Sequence, residues 1–156
     1  MGESHDLVAV FRKRFPGRPL GSAEERLLAE LPWGETVDLA SLGQSASSQI
    51  AGDIIAWACS DPEALRLISH RGIRVRGARF AGQVDLRCAD LPFPMVFDSC
   101  CFSDSILLDF ARVRMMSLIR SHTRSVSAYG AEFDGSVFLQ HGFRAEGEVK
   151  LIGARI

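Results

Sequence analysis

The feature that most restricts this chain is a repeat that fits neither a helix nor an ordinary strand. Set beneath one another, FAGQVDLRCADL (Phe80 to Leu91), FSDSILLDFARV (Phe102 to Val113), FDGSVFLQHGFR (Phe133 to Arg144) and AEGEVKLIGARI (Ala145 to Ile156) share one frame. Its third position holds Gly82, Asp104, Gly135 and Gly147, and its fifth Val84, Ile106, Val137 and Val149. The seventh holds Leu86, Leu108, Leu139 and Leu151, and the tenth the small residues Ala89, Ala111, Gly142 and Ala154. The segments between them keep the frame more loosely, with Met95/Phe97, Met116/Leu118 and Val126/Ala128 at the fifth and seventh positions. The unit is thus 10 to 12 residues, made of two five-residue steps.

A period of five smears around a helix and alternates between the faces of a flat strand, so neither element buries these positions together. A square coil does. With one step per side, the chain turns at each corner, a large apolar residue points inward from each side, and the small residue fits the crowded corner. Successive coils then stack through parallel main-chain hydrogen bonds about 4.8 Å apart, each buried residue on its counterpart one coil on. Residues 72 to 156 should make about four such coils. The expected inward columns are Phe80 over Phe102, Leu91 over Val113 over Phe133 over Ile156, and the seventh-position leucines Leu86, Leu108 and Leu151. The weakest coil should hold Ser121, Thr123, Val126 and Ala128, where small or polar residues replace Leu and Phe and leave apolar volume unfilled.

These steps resemble the A(D/N)LXX-like steps of the pentapeptide-repeat proteins. The strings RGIRVRGARFAGQVDL, CADLPFPMVFDSCCF and FLQHGFRAEGEVKLIGARI are similar to a divergent bacterial branch often labelled "membrane-associated oxidoreductase". The resemblance covers roughly residues 22 to 156. It implies an all-β fold, a right-handed quadrilateral parallel β-helix with an N-terminal α-helical cap. It also implies further repeats after GARI and, in many members, apolar helices, so that the chain would be the cytoplasmic amino-terminal part of a longer membrane-attached protein. The label implies redox activity, which no motif in these residues supplies.

The first seventy residues read differently. Ser22-Ala-Glu-Glu25 is a capping box that starts a helix at Ala23, ending before Pro32, with Leu27, Leu28 and Leu31 on its apolar face. Gly34 to Leu39 alternates like a short strand, and Ser41 to Ser48 reads as loop. A second helix is expected from about Gln49 to Cys59, and Asp61-Pro62 opens a third through about Ile68. Such helices would cover the unpaired main chain of the first coil. The chain therefore divides into 1–21, a basic amphipathic segment; 22–70, the helical cap; and 71–156, the repeat domain. In the first segment Leu7, Val10, Phe11 and Phe15 interleave with Arg12, Lys13 and Arg14. Two readings stand: a helix packed on the cap, or a weak membrane or partner contact through Phe11, Arg12, Lys13 and Arg14.

The 18 basic and 19 acidic residues nearly cancel, which argues against nucleic-acid binding and against an acidic DNA mimic of the gyrase-protecting kind. No apolar stretch approaches the roughly 20 residues that span a bilayer, and MGESHDLVAVFRKRF lacks a signal-peptide pattern, so the expected compartment is the cytoplasm. Gly72, Gly77 and Gly82 stand five apart and suit corners of the coil, not a dinucleotide loop. His5, His70, His122 and His141 share no frame position, and Cys59, Cys88, Cys100 and Cys101 lack CxxC spacing. The reading is therefore free thiols, with Cys100 inward and Cys101 outward, and no metal or other cofactor.

Charges recur with the coil: Arg76 and Asp98 stand 22 apart, as do Arg87 and Asp109, and Asp90, Arg112, Glu132 and Arg155 follow one another at 20 to 23. They are expected as ladders of opposite charge between coils. A non-catalytic scaffold or protein-interaction module fits this mixed surface. The alternative is an enzyme, redox by the label or acting on a polymer laid along one face. The expected partner is another protein, or a second copy docked on the coil from about Val149 to Ile156, which no helix covers.

Overall fold

A computed structural model of the chain describes residues 6–42 and 48–156. His5 and residues 43–47 of the expected loop lie outside the described residues. Four helices form the amino-terminal region: α1 (Leu7–Arg14), α2 (Ser22–Glu30), α3 (Gly52–Ala58) and α4 (Pro62–Leu67). The cap of α2 falls one residue earlier than the expected box. Glu24, not Glu25, reaches back, its Oε1 accepting from Gly21 N at 2.9 Å and its Oε2 from Ala51 N at 2.8 Å. Pro32 does not end the helical path, which tightens into a 3₁₀ turn over Leu31–Trp33 closed by Gly34 at φ 73°. The expected helix from Gln49 splits: Gln49–Ala51 is extended and α3 begins at Gly52. The reason is tertiary, because the main chain of Gln49–Ala51 is taken by pairing with Arg79–Ala81.

The strands are β1 (Val37–Asp38), β2 (Gln49–Ala51), β3 (Ile73–Arg76), β4 (Arg79–Ala81), β5 (Val84–Asp85), β6 (Asp90–Asp98) and β7 (Cys101–Phe102). They continue with β8 (Ile106–Leu107), β9 (Arg112–Ile119), β10 (His122–Thr123), β11 (Val126–Ser127), β12 (Glu132–Phe133), β13 (Val137–Gln140), β14 (Arg144–Ala145) and β15 (Val149–Lys150). All pairs are parallel, stacked as a β-helix of about four coils. One side runs β2-β4-β7-β10-β14 and another β5-β8-β11-β15. The long β6 and β9 pass through the corner joining the remaining two sides, with a register shift between Leu91 and Pro94. Because β1 pairs with β3 and β2 with β4, coiling reaches back across the expected boundary at residue 71. The helices thus fill the gaps of a partial first coil.

Inward columns follow the repeat. Phe80 and Phe102 stack with ring centroids 4.6 Å apart and planes within 8°, and Phe97 stands edge-on to both. Leu91, Val113 and Phe133 are in register and buried, as are Leu86 and Leu108. Leu151 and Ile156, in the last described coil, are instead 38% and 68% exposed. The coil expected to be underfilled is closed by polar contacts instead. Ser121 Oγ accepts from Cys100 N at 3.1 Å and lies 3.1 Å from Phe97 O, and Thr123 Oγ1 donates toward Asp104 O at 3.1 Å. Both residues are buried. Thr123→Val should therefore lower stability, by about 1 kcal/mol, in denaturant melts, because the hydroxyl's main-chain bond is lost.

Two corners of each coil need a left-handed residue. One column is Gly77, Ser99, Arg120 and His141 at φ 70°, 55°, 50° and 56°; the other is Cys88, Phe110, Gly130 and Gly153 at 61°, 57°, 64° and 70°. The next residue is small because it turns straight into the corner, closing it with a bond such as Ala111 N to Leu108 O at 2.9 Å. Non-glycine residues at such corners hold strain of about 1 kcal/mol or more. Cys88→Gly should thus raise stability by about 1 kcal/mol. Gly130→Ala should lower it by at least as much, since the new Cβ would meet the Phe110 ring at 2.8 Å in a left-handed backbone.

Asp61 ties the cap together. Its Oδ1 accepts from Glu63 N at 2.9 Å and Ala64 N at 3.2 Å, capping α4, while its Oδ2 accepts from Arg14 Nε at 2.8 Å and Trp57 Nε1 at 3.2 Å. One carboxylate joins α1, α3 and α4. Partial burial pushes its pKa up, but the hydrogen bonds from Arg14, Ala64 and Glu63 and the charge of Arg14 outweigh that and hold it below the ordinary carboxylate range. A depressed folded pKa means stability present above the unfolded value of about 3.9 and lost as pH falls through the folded value. Asp61→Ala should cost about 1–2 kcal/mol near neutrality and should flatten the acid limb of stability against pH.

Candidate interaction surface

Since the coil interior is filled by side chains, any function lies on its faces. Asp90, Arg112, Glu132 and Arg155 are in register coil by coil, and Arg76 lies beside Asp98. The close contacts, however, cross the columns. Arg112 Nε reaches Asp134 Oδ2 at 3.4 Å. Asp98 is held by Arg120, through Nη2 at 2.7 Å and Nε at 3.1 Å. Arg87 turns back to Asp85 in its own coil at 2.8 Å, while Asp109 Oδ1 accepts from Ser127 Oγ at 2.6 Å and Tyr129 N at 3.0 Å. An arginine side chain is longer than the about 4.8 Å between coils. Arg112 thus passes Glu132, in register with it, and meets Asp134 two residues further on.

Asp98 feels burial, which raises its pKa, and then bonds from Arg120 and Ser99 with the charges of Arg120 and Arg76, which bring it below the ordinary value. Arg120 is nonetheless half exposed, at 52%, and such pairs contribute about 0–1 kcal/mol. Arg120→Ala should accordingly shift unfolding stability by less than about 1 kcal/mol in denaturant melts.

An apolar strip went unread in the sequence. Phe110 (61% exposed) and Tyr129 (49%) meet edge to face at 5.5 Å, and Ile152 (61%) follows Tyr129 one coil on. On the last described coil Val149, Leu151 and Ile156 are exposed as well. Phe110 holds the ninth place of the frame, the outward corner that Cys88 holds one coil earlier. That place was the signal: an aromatic residue there cannot enter the core.

The amino-terminal residues are arranged on the cap. Phe11 is fully buried, with Phe15 at 4.9 Å and Trp57 at 5.3 Å. Arg14 meets Asp61 and Glu63, Lys13 lies 4.0 Å from Glu63, and Arg12 lies 3.7 Å from Glu25. Arg18 grips Asp53 with both Nη atoms, at 2.7 and 3.0 Å.

All four cysteines are free. Burial pushes the Cys59 and Cys100 thiols up to about 12, whereas Cys88 and Cys101 are exposed. Cys100 and Cys101 point to opposite sides of one strand, so this vicinal pair is split between core and surface. His122 Nε2 lies 3.3 Å from Glu146 Oε1. Among the described residues, no three His, Cys, Asp or Glu side chains converge as a metal ion would need, and no helix is long and apolar enough to cross a membrane. No family model, curated protein or solved structure matches the chain.

Proposed function

We propose that this chain is a non-catalytic solenoid scaffold that works as a protein-interaction module, and that its terminal coil binds a second copy of itself. The observation that supports this reading is the exposure of Phe110, Tyr129 and Ile152 at outward corners and of Leu151 and Ile156 on the last described coil, beside the edges of β13, β14 and β15, each paired on one side only. Exposed apolar area of this kind beside open parallel edges recruits another chain. The polar residues around it suit self-association, because Arg144, Glu146, Glu148 and Lys150 sum to no net charge and two copies would bring no like-charged faces together. The same surface would serve as the seat of further repeats in a longer, membrane-attached protein.

Light scattering at micromolar concentration tests the copy-on-copy contact. A concentration-dependent dimer that Leu151→Lys converts to monomer is the expected result. A strict monomer whose Leu151→Lys variant behaves identically would overturn it.

A further inference from the structure

The cap carries a cleft between the 3₁₀ turn that follows α2 and the end of α4. Its volume is about 430 Å³, and Trp33, Arg66, Ser69 and His70 line it beside Leu67 and Ile68. Small-molecule sites have this size, about 300–1,000 Å³. The walls are fixed by the main chain. Pro32 lies inside the 3₁₀ turn, which Gly34 closes by donating from N to Leu31 O at 3.4 Å. Ser69 N donates to the same Leu31 O at 3.3 Å, which ties the opposite wall to the turn. Gly34 permits this approach, since a Cβ there would collide with Ser69 Oγ. Ser69 Oγ accepts from Arg71 N at 3.2 Å and keeps its own proton for another partner.

The groups that line this cleft hold nothing within the chain. Trp33 is 69% exposed, and among the described residues the side chains of Arg66 and His70 make no hydrogen bond or ion pair. Glu35, two residues beyond Trp33, is turned to Arg71 at 3.5 Å. The far side of the cap is the contrast. There Trp57 meets Phe11 and Phe15 edge to face and donates to Asp61, while Arg14 and Arg18 are bonded to Asp61, Glu63 and Asp53. Those residues hold the helices together, so their chemistry is explained by the fold. That of Trp33 and Arg66 is not.

We propose that this cleft binds a small planar aromatic anion, with its ring on Trp33 and its carboxylate or phosphate on Arg66. An indole offers a flat face for stacking, and a guanidinium takes either anion through two parallel N–H bonds. The Ser69 hydroxyl and the His70 ring add donors. No carboxylate is among the described lining residues, so nothing in the cleft repels the anion. Leu67 and Ile68 supply the apolar part of the wall. The site is separate from the contact proposed for the last coil, which lies at the other end of the stack.

The test titrates the full chain with 2-naphthoate and with adenosine monophosphate, each beside its neutral relative, 2-naphthamide or adenosine. The chain has two tryptophans, so the two indole N–H signals in proton–nitrogen NMR report on the cleft and on the packed side of the cap separately. The Trp33 signal should shift saturably with at least one anion, at a Kd at or below about 1 mM, while that of Trp57 stays in place. Which anion binds more tightly tells a carboxylate from a phosphate ligand. The neutral relative of the bound anion should be at least about tenfold weaker, as should the anion on Arg66→Gln protein. Trp33→Ala, followed by calorimetry, should weaken binding by a similar factor. Both side chains are exposed, so neither variant should alter the unfolding midpoint. The neutral relatives need no variant at all. A Trp33 signal unmoved by both anions, equal binding of the neutral relatives, or full affinity in Arg66→Gln would overturn the proposal.

Discussion

Main-chain bonding from each coil to the next is the constraint on which every other feature of this protein rests. Val84 N bonds to Ser105 O at 3.1 Å, Ile106 N to Ser125 O at 2.9 Å, and Val126 N to Glu148 O at 3.0 Å, one side continuing through four coils. Parallel register places like positions on like positions. That is why phenylalanine stacks on phenylalanine inside, why charges align outside, and why the left-handed corners form columns. It also explains the tolerance of Ser121 and Thr123 in the interior, where neighbouring coils bring carbonyl oxygens within reach of their hydroxyls.

The same bonding poses a problem at each end of the stack. At the amino end β1 and β2 begin the pairing, and the helices cover what remains, with Asp61 fixing α1 against α3 and α4. Glu24 adds a direct link, since one of its oxygens serves the start of α2 and the other the end of β2. At the last coil the inward leucine and isoleucine positions meet solvent instead.

Whole-chain charge hides what the faces do. A formal net charge of −1 describes the sum, yet the fold aligns Arg79, His122 and Arg144 on one side of the coil and sets Asp85 and Asp90 in one groove with Arg87. Electrostatic character here belongs to columns, because residues about one coil apart in the chain lie side by side on the surface.

The coil, its inward columns and the burial of Cys100 against the exposure of Cys101 were legible in the sequence, because a repeat of five encodes which residue meets which once stacking is assumed. The partners of the charged side chains were not, since register places their Cα atoms and arginine length decides where a guanidinium ends. Nor was the strand at Gln49–Ala51: its apolar pattern suits a helix, and only the open edge of β4 draws it into extended pairing. The shift of the α2 cap to Glu24 has the same origin, as Ala51 N offers its second oxygen a partner from 27 residues away. Sequence alone determined the repeat and therefore the stack. Tertiary structure decided the local exceptions, because main-chain donors and acceptors at a sheet edge outweigh the propensity of three residues, and it decided the faces, because proximity across coils is set by register and side-chain reach.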